Sequence, residues 1–112
     1  MAGTLKRLAG PAYVASTATN IYNQSSALLY TRIYAIHVAN ITTGSVSFSL
    51  GISTTGDLTN GTNLFKGQAV GANTTFDYYP VNLRLGSADF LVGLDGNGAA
   101  LVITVMGDLW AV

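Results

Sequence analysis

The segment SVSFSLGIS, residues 45–53, alternates apolar and small polar residues almost without a break. Val46, Phe48, Leu50 and Ile52 occupy every second position, and serine fills most of the positions between them. Side chains two residues apart lie on one face of a β-strand, whereas a helix would scatter them around its circumference. The segment therefore predicts an antiparallel strand with one face on a core and one polar face.

Two later segments show the same period of two. In ADFLVGLD, residues 88–95, the residues predicted to share one face are Phe90, Val92 and Leu94. In ALVITVMGDLW, residues 100–110, they are Leu101, Ile103, Val105 and Leu109. The opposite side of this last segment is also partly apolar, so we expect both of its faces to be partly covered.

Turn residues separate these patterns. LDGNGAA, residues 94–100, lies between two strand patterns and predicts a hairpin turn. TTFDYYP, residues 74–80, predicts a short strand that Pro80 ends or places at a sheet edge. No segment has helical periodicity, and about seven or eight short strands in about 95 residues are typical of two packed sheets. We therefore predict an all-β fold: an antiparallel β-sandwich, jelly-roll-like, over residues 19–112. A flattened barrel is the alternative.

Residues 1–18 are small and weakly patterned, and they contain a close pair of cations, Lys6 and Arg7. This composition predicts an N-terminal arm that a partner would order. The cations followed by mildly apolar residues superficially resemble a signal peptide. Pro11 and the weak hydrophobicity argue against that interpretation, so we expect the segment to stay part of the protein.

Charged residues make up 9% of the chain, compared with about 25% in an average soluble domain, and the net charge is zero. Such a chain has no field that would attract nucleic acid or an anionic membrane, so neither is an expected partner. It also lacks the self-repulsion that keeps copies apart, because near-zero net charge favours association. We expect a homo-oligomer whose neutral surface is partly covered by other subunits.

The residue types for most site chemistry are missing or scattered. The chain has no cysteine, which excludes disulfides, thiolate metal sites and cysteine nucleophiles. A zinc site needs several ligands, and the chain has one histidine, His37. The five aspartates are dispersed, and we interpret Asp57 and Asp95 as turn residues and the others as strand-edge charges. We expect no catalytic residue, no metal and no cofactor, and therefore no enzymatic activity.

His37 lies within RIYAIHVANITT, residues 32–43, which is apolar on both sides of a predicted strand. Strict alternation places Ile36 and Val38 on the same face as Tyr34. It places His37 with Ile33, Ala35, Ala39 and Ile41. We expect the first face to meet the core and the face of His37 to be buried by a neighbouring sheet or subunit.

Aromatic residues are the remaining candidates for a ligand site. A platform for stacking sugars would draw on Tyr13, Tyr22, Tyr30, Tyr34, Tyr78, Tyr79 and Trp110. In β domains, however, aromatic residues more often fill cores and protein interfaces. Glycan binding therefore remains an alternative to protein binding.

Three segments resemble sequences common in small virion proteins of tailed bacteriophages. They are YAIHVANITTGSVSFSLGIS (34–53), NLFKGQAVGANTTFDYY (63–79) and LRLGSADFLVGLDGNGAALVITVMG (83–107). The resemblance extends over about residues 25–107, and the IHVAN strand followed by a Thr/Gly turn is its most specific part. Related sequences often have a turn with proline and glycine before that strand. Here LLYTRIYAIHVAN runs through without one, which predicts a longer strand.

The resemblance implies a structural protein of the phage particle, assembled in the cytoplasm of the bacterial host. Among such proteins we expect a capsid decoration, or cement, protein that binds the major capsid protein, with a trimer as the first expected oligomer. The residues expected at partner interfaces are Leu5, Lys6, Arg7, Leu8, Tyr13, Arg32, His37, Arg84 and Trp110. Arg32 and Arg84 are expected to pair with acids on the partner. The alternatives are a head-to-tail or tail adaptor and a receptor- or glycan-binding tip module.

Overall fold

The computed structural model describes residues 6–55, 57–58, 63–81, 83–98 and 100–111. Its strands are β1 (Lys6–Tyr13), β2 (Thr19–Tyr22), β3 (Leu29–Asn40), β4 (Val46–Ser53), β5 (Asn63–Val70), β6 (Thr75–Tyr78), β7 (Leu83–Leu85), β8 (Phe90–Asp95) and β9 (Leu101–Ala111). Across these ranges the structure has no helix that is long and apolar enough to cross a membrane.

The strands form two antiparallel sheets. The large sheet has the order β1-β9-β3-β6, and β7 also pairs with β3. The small sheet has the order β2-β8-β4-β5. The predicted all-β sandwich is confirmed, and the two sheets enclose one core between them.

Strands near the beginning of the chain pair with strands near its end, and the inner strands pair with each other. With β7 set aside, β1 pairs with β9, β2 with β8, β3 with β6 and β4 with β5. First-with-last pairing of eight strands over two sheets is the arrangement of a jelly roll. One consequence corrects a prediction, because LDGNGAA connects β8 in the small sheet to β9 in the large sheet. It is therefore a connection between sheets and not a hairpin turn, although Gly98 has the positive φ of 71° that such turn residues allow.

The core consists of aliphatic side chains between the sheets and an aromatic group at one side. Fully buried aliphatic residues of the core include Val38, Leu50, Leu91, Leu101 and Val105. At the side where β5 and β6 meet, Phe65 and Tyr78 pack edge to face with centroids 4.7 Å apart. Edge-to-face packing is a favourable arrangement of aromatic rings, so this pair helps to join the two sheets.

In β4 and β9, the residues predicted to share one face lie mostly on the side that meets the core. In β4, the core contains Val46, Phe48 and Leu50, with Ile52 packed against it. In β9, the core contains Leu101, Ile103 and Val105, whereas Leu109, predicted on the same face, is half-buried and lies outside the core cluster.

In β8, the predicted face of Phe90, Val92 and Leu94 lies on the side away from the core cluster, although Val92 itself is fully buried. Leu91 belongs to the core, whereas Phe90 and Leu94 are only half-buried on the other side of the strand. The pairing with β4 explains why Leu91 faces the core, because residues opposite each other on paired strands share a face. Gly93 lies opposite the core residue Leu50, and Leu91 lies opposite Ile52, which packs against the core. A Cβ at position 93 would lie 2.6 Å from Cδ1 of Ile21, so a larger residue here would have to displace that side chain.

A β-bulge in β3 changes which residues face the core. Ile33 lies opposite Gly107 and Ala35 opposite Met106, so Tyr34 is an extra residue in the strand. Ile33, Ile36 and Val38 therefore all point to the core. Tyr34 does not join them, contrary to the predicted alternation, and lies on the outer face of the large sheet.

The N-terminal boundary also differs from the prediction. Lys6–Tyr13 is the edge strand β1 of the large sheet, and Leu8 and Ala9 pack against the core. Val14 is a buried core residue whose amide donates to the carbonyl of Leu101 at 2.9 Å. Residues 6–14 are therefore part of the sandwich and not a separate arm, because their apolar side chains fill the space beside β9.

Candidate binding site on the outer face of the large sheet

Three neighbouring strands place a group of aromatic and charged side chains on the outer face of the large sheet. We name it the aromatic–arginine cluster, and its members are Tyr30, Arg32, Tyr34, Arg84, Asp108 and Trp110. The pairing of β3 with β9 sets Tyr30 opposite Trp110 and Arg32 opposite Asp108. The pairing of β3 with β7 sets Arg32 opposite Arg84. Because opposite residues on paired strands share a face, these side chains project on the same side.

The bulge adds Tyr34 to this group. As the extra residue in β3, its side chain reaches Asp108, and its hydroxyl donates to Oδ2 of Asp108 at 2.9 Å. Bulges commonly redirect one side chain from its expected face, and here the redirected side chain completes a polar contact.

Asp108 holds the cluster together from beneath. Its side chain is buried, with 3% of the residue exposed, and each carboxylate oxygen accepts one hydrogen bond. Oδ2 accepts from Tyr34, and Oδ1 accepts from Nε1 of Trp110 at 2.5 Å. Burying a carboxylate is costly unless its oxygens accept hydrogen bonds, so the two bonds stabilise buried Asp108 and fix the orientation of both rings.

The two arginines lie against these rings. The Cζ atom of Arg32 is 5.1 Å from the ring centroid of Tyr34 and 5.5 Å from that of Trp110. The Cζ atom of Arg84 is 3.8 Å from the centroid of Tyr30. These distances are within the range of cation–π attraction. Tyr30 and Trp110 are nearly parallel, at 12°, with centroids 6.5 Å apart.

The guanidinium groups keep their hydrogen-bonding capacity. Among the residues that the structure describes, no carboxylate lies within ion-pair distance of Arg32 or Arg84, and no acceptor is hydrogen-bonded to either side chain. Arg84 is exposed and Arg32 is half-buried. The cluster therefore presents two oriented cations with open donors at the surface.

The hydrogen bond to Asp108 also affects the acidity of Tyr34. That bond, together with partial burial, raises the pKa of the Tyr34 phenol above its ordinary value of 10.0. The cause is that the bond requires the neutral phenol as donor, and the carboxylate beside it disfavours a second negative charge. Tyr34 is therefore held in its neutral, donating form.

His37 lies elsewhere on the same outer face. It is directly opposite Asp77 on β6, and its Nδ1 is 2.5 Å from Oδ1 of Asp77. About 40% of each side chain is exposed, so within this chain the predicted burial of His37 by a neighbouring sheet is wrong. The small sheet packs on the opposite face of β3. Asp77, which we interpreted as a strand-edge charge, is the partner of His37.

The remaining residues predicted at partner interfaces fall into three groups. Lys6 and Arg7 are exposed on β1, and Tyr13, at the end of that strand, is 61% exposed. Leu8 is partly buried and packs against the core. Leu5 lies outside the described residues. The structure thus brings together Arg32, Arg84 and Trp110, and it keeps His37 and the β1 residues apart from that cluster.

Sequence reasoning missed Asp108 as a site residue. The available signal was the period of two, which places Asp108 and Trp110 on one face of β9 and Tyr30 and Arg32 on one face of β3. Nothing in the sequence shows that these two faces are adjacent, since that depends on strand pairing.

A separate cleft lies between the edge strands β1 and β2. It is a cleft of about 110 Å³ lined mostly by small residues, including Ala9, Gly10, Ala12 and Gly93. Across the described residues, no group of three or more histidine, aspartate or glutamate side chains is arranged to hold a metal ion. The cluster on the outer face therefore has the richest chemistry in the described structure.

Comparisons with protein-family models, curated proteins and solved structures found no match for this chain.

Proposed function

We propose that this chain is a structural protein of a tailed-phage particle, most specifically a capsid decoration protein that binds shell subunits. In this proposal it attaches through the outer face of the large sheet and adds stability to the assembled virion. The resemblance of residues 34–53, 63–79 and 83–107 to small virion proteins supports the identification. A jelly roll is compatible with it, although that fold also serves unrelated functions.

The aromatic–arginine cluster is the observation that carries the proposal. Tryptophan, tyrosine and arginine are the residue types that most often dominate the energy of protein interfaces. In this cluster Asp108 orients two of the rings in advance, so less conformational entropy is lost when a partner binds. Preorganised aromatic and guanidinium groups at a surface favour binding as the role of this face.

The state of Asp108 also favours binding over acid–base catalysis. Both of its oxygens already accept hydrogen bonds from Tyr34 and Trp110, and the side chain is buried beneath the rings. A general base must reach the proton that it abstracts, and this carboxylate is covered. Its position suits an orienting role.

Binding to particles tests the proposal. Purified protein is added to phage particles that lack it, and the bound fraction is measured after sedimentation, together with the temperature at which the shells release DNA. We expect wild-type protein to cosediment and raise that temperature, since a ligand that binds only the assembled shell stabilises it by mass action. Trp110→Ala should reduce cosedimentation, while Ser47→Ala, an exposed change on β4 of the small sheet, should not.

Failure of the wild-type protein to bind these shells would overturn the assignment as a decoration protein. Equal binding by Trp110→Ala and wild type would overturn the assignment of this face as the point of attachment. Binding confined to isolated necks or tails would identify the adaptor alternative.

A further inference from the structure

We infer that the aromatic–arginine cluster recognises carboxylate side chains on an acidic surface of a partner protein, with Arg32 and Arg84 as the receiving groups. This inference rests on the proposed function, because it names the chemistry by which the same face would bind its partner.

Arg32 and Arg84 are directly opposite each other on β3 and β7, and like charges at opposite positions destabilise a strand pair. No carboxylate among the described residues lies within ion-pair distance of either group. A carboxylate bound by either guanidinium group would reduce this repulsion.

Both guanidinium groups lie over aromatic rings. Arg84 lies 3.8 Å from the centroid of Tyr30, and Arg32 lies against Tyr34 and Trp110. The N–H donors of a guanidinium lie in its own plane, and no described acceptor is hydrogen-bonded to those of either arginine. Those in-plane donors match the two oxygens of a carboxylate.

Asp108 is the acid nearest to Arg32 in strand register. It lies opposite Arg32 on β9, but its oxygens accept from Tyr34 and Trp110 and it forms no ion pair with Arg32. The buried carboxylate therefore orients the rings and leaves the hydrogen-bonding edges of the arginines for a ligand.

The rings themselves favour a protein carboxylate over a sugar. Sugars bind aromatic residues by stacking on open ring faces, and here Arg84 covers a face of Tyr30 while Arg32 lies over Tyr34 and Trp110. Nucleic acid is disfavoured because the chain has five cations balanced by five acids and no basic excess. Acidic side chains on a protein surface fit both the open donors and the interface-like composition.

The test uses Trp110, which is the only tryptophan in the chain and reports on its own site by fluorescence. Full-length protein is titrated with poly-L-glutamate, with polygalacturonate as a carboxylated sugar polymer, and with neutral dextran. We expect a saturable change in fluorescence with poly-L-glutamate, weaker with added NaCl, and a weaker or absent response to the two polysaccharides.

Variants connect that response to the two arginines. Arg32→Gln and Arg84→Gln should each weaken the affinity for poly-L-glutamate roughly tenfold, as expected for losing a charge-assisted hydrogen bond. Arg84→Lys keeps the charge but loses the planar pair of donors, so it should fall between Arg84→Gln and wild type. Lys66→Gln removes the same charge from an exposed position on β5 of the small sheet and should bind as wild type does.

Several results would overturn the inference. One is a wild-type protein that does not respond to poly-L-glutamate. Another is a pair of folded arginine variants that bind poly-L-glutamate as tightly as wild type does. A third is tighter binding to polygalacturonate than to poly-L-glutamate, which would indicate an acidic-glycan module. Thermal unfolding identifies any variant that fails to fold. The comparison of the three polymers uses wild-type protein only, so it tests the inference even if a variant does not fold. Particle cosedimentation without a response to carboxylates would leave the proposed function intact and reject this inference. A response to poly-L-glutamate without binding to particles would support carboxylate recognition and reject the proposed function.

Discussion

Arg32 and Arg84 lie directly opposite each other on β3 and β7, and each guanidinium group packs against an aromatic ring instead of a carboxylate. The arrangement depends on three strands that are distant in sequence. β3 supplies Arg32 and both tyrosines, β7 supplies Arg84, and β9 supplies the buried Asp108 that orients Tyr34 and Trp110. A single buried carboxylate, that of Asp108, therefore orients two of the aromatic side chains on the outer face.

Replacing Asp108 with alanine should destabilise the protein. Asp108→Ala leaves the hydroxyl of Tyr34 and the indole N–H of Trp110 without their acceptor, in partly buried positions. We expect a loss of about 1–3 kcal/mol in the free energy of unfolding, measured by denaturation in urea. Asp57→Ala, at an exposed position, is the matched control and should change little. An unchanged urea midpoint for Asp108→Ala would contradict the orienting role.

The pH dependence of stability should report the neutral state of Tyr34. Its pKa is raised above 10.0 in the folded protein, so its favourable contribution is complete below pH 10 and is lost as the pH rises through the folded-state value. The stability difference between wild type and Tyr34→Phe should therefore be constant from neutral pH to about pH 9 and should shrink in more alkaline solution. Tyr79→Phe, at an exposed position, provides the control. A difference that grows above pH 10 would contradict the assigned sign.

Position 107 should tolerate no side chain. A Cβ on Gly107 would collide with the backbone carbonyl oxygen of Arg32 and would lie 2.9 Å from Cδ1 of Leu8. Because a backbone atom cannot rotate away, Gly107→Ala must separate β9 from β3 beside the cluster. We expect a loss of roughly 1–3 kcal/mol and an altered Trp110 fluorescence spectrum. Gly44→Ala, which meets nothing within 4 Å, should leave both unchanged, and identical behaviour of the two variants would refute the close approach.

Removing residues 1–10 should weaken the fold itself. The deletion takes away the first half of β1, including Leu8 and Ala9, which pack against the core, and exposes the edge of β9. We expect a clear fall in the unfolding temperature. The double variant Lys6→Ser/Arg7→Ser keeps the strand and removes only exposed charge, so its unfolding temperature should stay near that of wild type. A truncated protein as stable as wild type would show that β1 is dispensable.

Strand positions and the sandwich could be predicted from the sequence because period-two alternation is a local signal. The face of β4 follows from Val46, Phe48 and Leu50 alone. Alternation gives the wrong face where a bulge adds a residue. It also does not show which face of a strand meets the core, because that depends on the pairing with the neighbouring strand. The bulge at Tyr34 shifts the alternation in β3, and in β8 the pairing with β4 turns Leu91 inward although Phe90 is the larger apolar residue.

The candidate site was predictable only in part. Arg32, Arg84 and Trp110 were predicted as interface residues, but sequence alone did not connect them, because their proximity depends on how β7 and β9 each pair with β3. Asp108 resembled an ordinary strand-edge charge, since burial beneath two rings is a tertiary property. Leu8 was assigned to an interface because the strand β1 has little alternation to show that it packs inward.

The number of copies of this chain in each phage particle tests the central claim most directly. Quantitative mass spectrometry of purified virions, with the major capsid protein as internal standard, gives that number. A decoration protein repeats with the symmetry of the shell, so we predict hundreds of copies per particle. A count of about a dozen or fewer would contradict decoration and indicate a neck or tail component, because those structures have low-order cyclic symmetry. Absence of the chain from the particles would contradict a role in the virion altogether.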